Sequence, residues 1–273
     1  MLLSILMKEI FSLFREAAWI WYDRDADSLA ATVSYYALFA IVPLLLLTVT
    51  FSSLLYGKEL VIATFDNWGG VLGAEVIGLL HAAVINLGKL SDGFGIPIFG
   101  ALFFTGMVIV LLNTFTAGLN HIWDIPHRGF KGWLVKCGHS MLFVVGLEVY
   151  LLLLIGLDRI FSIVLGHDFV IVHILEAALF MFTTALLFSF TFQLLPWECP
   201  SFKARLLGGL VASVLFTTAK IPVMWYVSVT PIPSLFGAAG LIVILLIWVF
   251  VSTSVIYYGA AFAKVVDNKK NLC

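Results

Sequence analysis

From Ile221 to Ala263 the chain carries no Asp, Glu, Lys or Arg, a run of 43 residues. Three more runs are free of charge: Ser28–Gly57 with 30 residues, Gly93–Trp123 with 31 and Ala177–Trp197 with 21. A helix that crosses the hydrocarbon of a bilayer needs about 20 apolar residues, so each run is long enough for a crossing. Pro231 and Pro233 fall in the middle of the longest run, which therefore reads as the end of one span, a tight turn and a second span. Composition agrees. The chain is 62% hydrophobic and 11% charged, whereas soluble domains are about 45–50% apolar and about 25% charged. So few ionic groups cannot cover a water-facing surface, and a net charge of -1 gives no basic field for a polyanion. A soluble enzyme, a disordered chain and a nucleic-acid binder are excluded as readings.

Two further apolar stretches carry one acidic or basic residue each: Glu148 within Cys137–Leu157, and Lys220 within Leu206–Thr230. The sequence thus predicts an all-α, polytopic membrane protein, one membrane domain over residues 1–273. Its six spans are expected at about 28–56, 94–117, 136–158, 169–195, 205–229 and 236–264. Several are longer than an upright crossing requires, so tilt or projecting ends are expected. With six spans, eleven Lys and Arg, among them Lys8, Arg15, Arg24, Arg128 and Lys264, share one side with both termini. Only Lys58, Lys89 and Arg159 take the other. That asymmetry predicts cytoplasmic termini. Cys137, Cys199 and Cys273 fall on or near the same side, where thiols stay reduced.

Residues 1–27 are expected to stay on the chain, since the apolar start precedes Lys8 instead of following a basic region. Ile10, Phe11, Phe14, Ala17, Ala18 and Trp21 recur at helical spacing, opposite Glu9, Ser12, Arg15 and Glu16. This predicts an amphipathic helix that lies at the interface or caps the bundle. The outer loop, 57–93, is expected to hold a short helix over Val71–Leu90.

Ionisable groups inside a membrane are costly to keep, which makes Glu148, Glu176 and Lys220 the candidates for a site. The functional reading is a polar cavity in the central to outer half of the bundle, where Lys220 meets an anionic group on a substrate. The competing reading is an ion pair of Lys220 with Glu148 or Glu176 that only fixes helix packing. Pro222 lies two residues after Lys220, and Pro43 lies in the first span. Both break a helix ladder and free carbonyls that can line a cavity. Gly208, Gly209, Ala212 and Ser213, and Gly237 to Gly240, read as close helix contacts. His121, Asp124 and His127 match no metal spacing, no Ser or Cys has a nucleophile motif, and no phosphate loop is present. No metal, no cofactor and no enzymatic activity are expected.

Several pieces in fixed order carry a family likeness. Leu29 to Leu44, with its tyrosines and Pro43, resembles the opening span of the YihY/BrkB family of bacterial inner-membrane proteins, once labelled ribonuclease BN. Asn120-His-Ile-Trp123, Leu195-Pro196, Lys220 with Tyr226, and Phe236-Gly-Ala-Ala-Gly240 followed by Trp248 resemble its later marks. The likeness runs from about residue 17 to 267. It implies a six-helix protein of the inner membrane, with Tyr35 and Tyr226 joining Lys220, Glu148 and Glu176 as candidate substrate-binding residues. It brings no settled activity; transport or export and envelope-linked virulence are the roles suggested for the family. Here Ala261 stands where the family often has Glu, and Phe236 where it often has Tyr. The expectation is a transporter or exporter of an anionic lipid or other amphiphile, with membrane lipids as partners and no nucleic acid. The rival readings are a non-transporting envelope-assembly scaffold, with an envelope protein as its partner, and a proton-coupled antiporter.

Overall fold

In the computed structural model, residues 2–57, 95–126, 129–164, 170–198, 200–229 and 238–271 are described. They form seven helices: α1 (Leu2–Asp23), α2 (Ala26–Tyr56), α3 (Gly95–Ile122), α4 (Phe130–Val164), α5 (Val170–Leu194), α6 (Phe202–Val229) and α7 (Ala238–Asn271). No strand occurs among the described residues. Five of the six expected spans fall within two residues of a helix at their start or end, while the third, 136–158, lies inside a helix that overruns it by six residues at both ends. α4 begins six residues early, at Phe130, and α7 continues past Ala263 through Lys264, Asp267 and Asn268. Hydropathy marks the greasy part of a helix, and nothing obliges the backbone ladder to stop at its edge. The helix expected over Val71–Leu90 lies outside the described residues.

Four of these helical stretches are long and apolar enough to cross a bilayer: Gly138–Leu157, Ala177–Leu194, Phe202–Val223 and Ile242–Asn268. A shorter apolar stretch is Gly106–Ile122. Their exposed faces are greasy. Leu142, Val145, Val149 and Leu153 on α4, Phe182 and Leu186 on α5, and Leu210, Ile221 and Trp225 on α6 all point outward. In water such a belt would drive aggregation; in hydrocarbon it is the solvent-facing surface. Hydroxyls within the helices bond back to their own backbone, as Ser34 does to Ala30, Thr191 to Leu187 and Ser252 to Trp248.

α7 is the hub. It packs on α6, α2, α1 and α3, while α6 lies between α7 and α5, and α4 leans on α5, α3 and α2. Small residues let α6 approach both neighbours. A Cβ at Gly208 would sit 2.6 Å from the Gly259 carbonyl oxygen on α7, and one at Gly209 would sit 2.7 Å from the Ala185 carbonyl oxygen on α5. The glycines are consecutive, about 100° apart round the helix, so they face different neighbours and α6 is wedged between two backbones. The partner of Gly208 is the second half of α7, because antiparallel helices bring the start of α6 level with the end of α7.

Candidate functional site

Two groupings of polar side chains interrupt this apolar bundle. The first is Lys220. It lies 18 residues into α6 from Phe202, about 27 Å along the helix. Its ammonium nitrogen is 3.6 Å from the ring centroid of Phe180 on α5 and 5.5 Å from that of Phe216, one turn earlier on α6. Phe216 in turn meets Phe188 edge-on at 5.7 Å and Trp248 of α7 at 5.6 Å. The cation therefore caps an aromatic column in the seam of α5, α6 and α7. Ring faces carry negative potential and hold a desolvated cation by about 2 kcal/mol. Beside it Ile221 and Trp225 are exposed, so the seam borders the outer apolar surface.

The other candidates are dispersed. Glu148 is buried at 5% exposure on α4, which packs on α5, α3 and α2, whereas α6 packs on α5 and α7. Its helix and that of Lys220 are thus separated by α5. Glu176 lies on α5 one turn before Phe180 and Tyr226 on α6 beyond Lys220; their side chains are outside the described residues. Tyr35 is 59% exposed on α2, and its ring partners are Tyr36 at 5.5 Å and Phe39 at 5.6 Å on the same helix. α2 runs as helix through Pro43, and α6 through Pro222.

The second grouping closes the end of the bundle where α3, α5 and α7 finish. α3 ends in a left-handed residue, Asp124, with φ 59. The Asp124 N–H donates to the His121 carbonyl at 3.3 Å, and the Ile125 N–H donates to the Asn120 carbonyl at 2.9 Å. This is the Schellman closure, usually built on glycine. An acidic residue at a helix C-terminus faces the negative end of the dipole. Here two cations offset that cost: Arg24 and Lys264 each lie 2.5 Å from a different Asp124 carboxylate oxygen. Lys264 also donates to the Ile122 carbonyl at 2.8 Å, satisfying an end group of α3. Partial burial pushes the Asp124 carboxyl up, but the Lys264 hydrogen bond and the charges of Lys264, Arg24 and His121 outweigh it and hold the group below its ordinary value.

Around this corner each neighbouring element is tied in. The Trp123 indole N–H donates to the Ala260 carbonyl at 2.8 Å, and its ring meets Phe192 of α5 edge-on at 5.8 Å. The Asn120 side-chain oxygen accepts from the Trp197 N–H at 3.1 Å. The Trp21 indole N–H donates to Ser254, and the Tyr258 hydroxyl to Phe14, fixing α1 across α7. Asn120 and Trp123 stand out in the sequence only as marks of a likeness; the structure makes them the joint of three helices, α3, α5 and α7. Asp124, weighed as a metal ligand with His121 and His127, spends both oxygens on cations of the chain.

Ala261, where the likeness leads one to look for Glu, is fully buried in the core cluster. The same cluster holds Tyr257, Phe262 and Val265 of α7.

Among known proteins, residues 21–272 match the family model described as "Virulence factor BrkB". A "UPF0761 membrane protein" of Coxiella burnetii is 27% identical over 262 residues, 90% of each chain. One from Glaesserella parasuis is 26% identical over 225 residues, 77% of this chain and 73% of the relative. Another from Mannheimia succiniciproducens is 23% identical over 279 residues, 97% and 93% of the two. No solved structure matches.

Proposed function

This chain belongs to the Virulence factor BrkB family, and we propose that it works in the bacterial inner membrane as a six-span protein that holds and moves an amphiphile with an anionic head. The observation that carries the reading is the Lys220 ammonium lying over Phe180 and Phe216 within an apolar stretch of α6. An ammonium has three N–H donors and needs acceptors. Ring faces stabilise its charge but offer no strong lone pair, so a phosphate or carboxylate from the bilayer suits it. Ile221 and Trp225 on the exposed flank give acyl chains a surface beside it. The protein acts without chemical conversion of its cargo, and Glu176, four residues before Phe180, and Tyr226, six residues after Lys220, are carried as candidate residues for the head.

The six spans are the six helices α2 to α7, and both termini lie in the cytoplasm with Asp124, Arg24 and Lys264. The test is the lipid that co-purifies. Wild-type protein extracted from membranes should retain anionic phospholipid in excess over its share of the bilayer, Lys220→Arg should keep that excess, and Lys220→Met should lose it. Equal lipid content in wild type and Lys220→Met would count against the reading.

One observation favours a second reading, a scaffold for envelope assembly. On α1, Met7, Phe11 and Tyr22 are 63%, 70% and 69% exposed, although the opposite face is already docked on α7. A partner helix or the lipid interface would cover them.

A further inference from the structure

Buried hydroxyls in this bundle are almost all accounted for. Ser34 and Thr191 bond one turn back, Ser213 donates to the Met181 carbonyl across the α5–α6 contact, and Thr184 meets the Tyr150 hydroxyl at 2.8 Å. Two are not. Thr116 on α3 is 4% exposed and Ser140 on α4 is 0% exposed, and among the described residues neither hydroxyl has a hydrogen-bond partner.

These two lie on neighbouring helices and toward the same end. Thr116 is six residues from the finish of α3 at Ile122, and Ser140 is two residues inside the apolar stretch Gly138–Leu157. From Ser140 the row of every fourth residue on α4 runs through Val144 to Glu148. That row faces inward: Val144 packs on the core cluster and Glu148 is 5% exposed. Ser140 and Glu148 are eight residues apart, about 12 Å along one face. Glu148 falls ten residues into the same apolar stretch, at its middle. α4 also packs on α3 and α2.

A serine or threonine in an apolar helix contact can satisfy itself on its own backbone, as the others here do. Where a buried hydroxyl does not, the usual partner is water, and a buried water wants about three polar contacts. We propose that the α3–α4 seam is an aqueous inlet, entered from the Asp124 end past Thr116 and Ser140 and ending at Glu148, whose carboxyl exchanges protons with that side. Among the described residues of the packed elements, these ionisable groups are engaged or exposed. Tyr150 bonds Thr184, Tyr56 of α2 donates to the Leu152 carbonyl, and His121 and His139 are exposed at the helix ends. The inlet shares with the functional reading only the placement of the Asp124 end in the cytoplasm. It does not involve the α5–α6 seam, so either can fail alone.

The experiment uses the full chain with Cys137, Cys199 and Cys273 replaced by Ser, carrying Thr116→Cys, Ser140→Cys or the lipid-facing control Val145→Cys. A charged, membrane-impermeant methanethiosulfonate should label the first two in inside-out vesicles and not in right-side-out ones, and should label the control in neither. Inert cysteines at both positions, or labelling only from the outer side, would overturn the inlet. A second measurement needs no cysteine. On acidification of the wild-type protein in nanodiscs, an infrared carboxyl band that is lost in Glu148→Gln should appear and should shift in D2O. A Glu148 band that responds to neither pH nor D2O contradicts the proposal.

Discussion

Lys264 holds Asp124 by an ion pair of 2.5 Å across 140 residues of sequence, and its ammonium also donates to the carbonyl of Ile122. One side chain from α7 therefore neutralises the acid that ends α3 and satisfies an open carbonyl of the same helix end. With Arg24 on the other carboxylate oxygen, the joint ties the α1–α2 turn to α3 and α7.

The joint separates two effects of substitution at Asp124. A left-handed backbone costs a side chain about 1 kcal/mol that glycine avoids. Asp124→Gly relieves this and loses both ion pairs, whereas Asp124→Ala keeps the cost and loses the pairs. Both should lower the thermal midpoint in detergent, Ala more than Gly. Each partly exposed pair contributes about 1 kcal/mol or less. A midpoint raised by Asp124→Gly would mean that backbone strain outweighs the pairs.

The same group sets a pH window. The folded Asp124 carboxyl titrates below its ordinary value, so its contribution is present above the unfolded-state pKa and is lost as pH falls through the lower folded one. The deficit of Asp124→Asn against wild type should therefore be constant from about pH 6 to 8 and shrink only below about pH 4. Paired unfolding curves at several pH values check this. A deficit that changes around neutrality would contradict this assignment to Asp124.

Helix packing gives an independent check. Gly208→Ala drives a methyl group to 2.6 Å from the Gly259 carbonyl oxygen, a backbone atom that cannot rotate away. Overpacking of this kind costs about 1–3 kcal/mol. At Gly106 on α3 a Cβ meets nothing within 4 Å, and alanine there should be neutral or stabilising by about 0.5–1 kcal/mol. Resistance to unfolding in SDS should fall for the first variant and not for the second.

The helices were legible because charge is the scarcest commodity in this chain: the runs from Ser28 and Gly93, and the one ending at Ala263, each coincide with a long helix. What lay beyond the apolar part was not. Phe130 to Val135 and Lys264 to Asn271 continue α4 and α7 because a helix ladder does not require greasy side chains. The Asp124 joint was hidden for a different reason. Its partners come from residues 24 and 264, and no local pattern brings them together. An Asp that follows Ile-Trp at the end of an apolar run was a legible hint of a helix stop. Lys220 stands out as a charge, but its seat on Phe180 depends on how α5 and α6 align, which periodicity does not report. Tyr35, singled out through likeness alone, turns outward beside Tyr36 and Phe39.

The proposed six-span topology, which rests on the charge asymmetry, has its own test. Reporters that fold only in the cytoplasm should be active when fused at either terminus or after Pro126, and inactive when inserted in 58–94. An active reporter in that loop would contradict the six-span arrangement.

The most direct measurement of the central claim is movement of a head-labelled fluorescent phosphatidylglycerol between the leaflets of proteoliposomes, read by quenching from outside. Wild-type protein should speed the loss of the protected fraction over empty liposomes, and Lys220→Met, folded and inserted to the same level, should return it to the empty-liposome rate. Lipid movement no faster with wild type than without protein, or as fast with Lys220→Met as with wild type, would contradict a substrate role for Lys220.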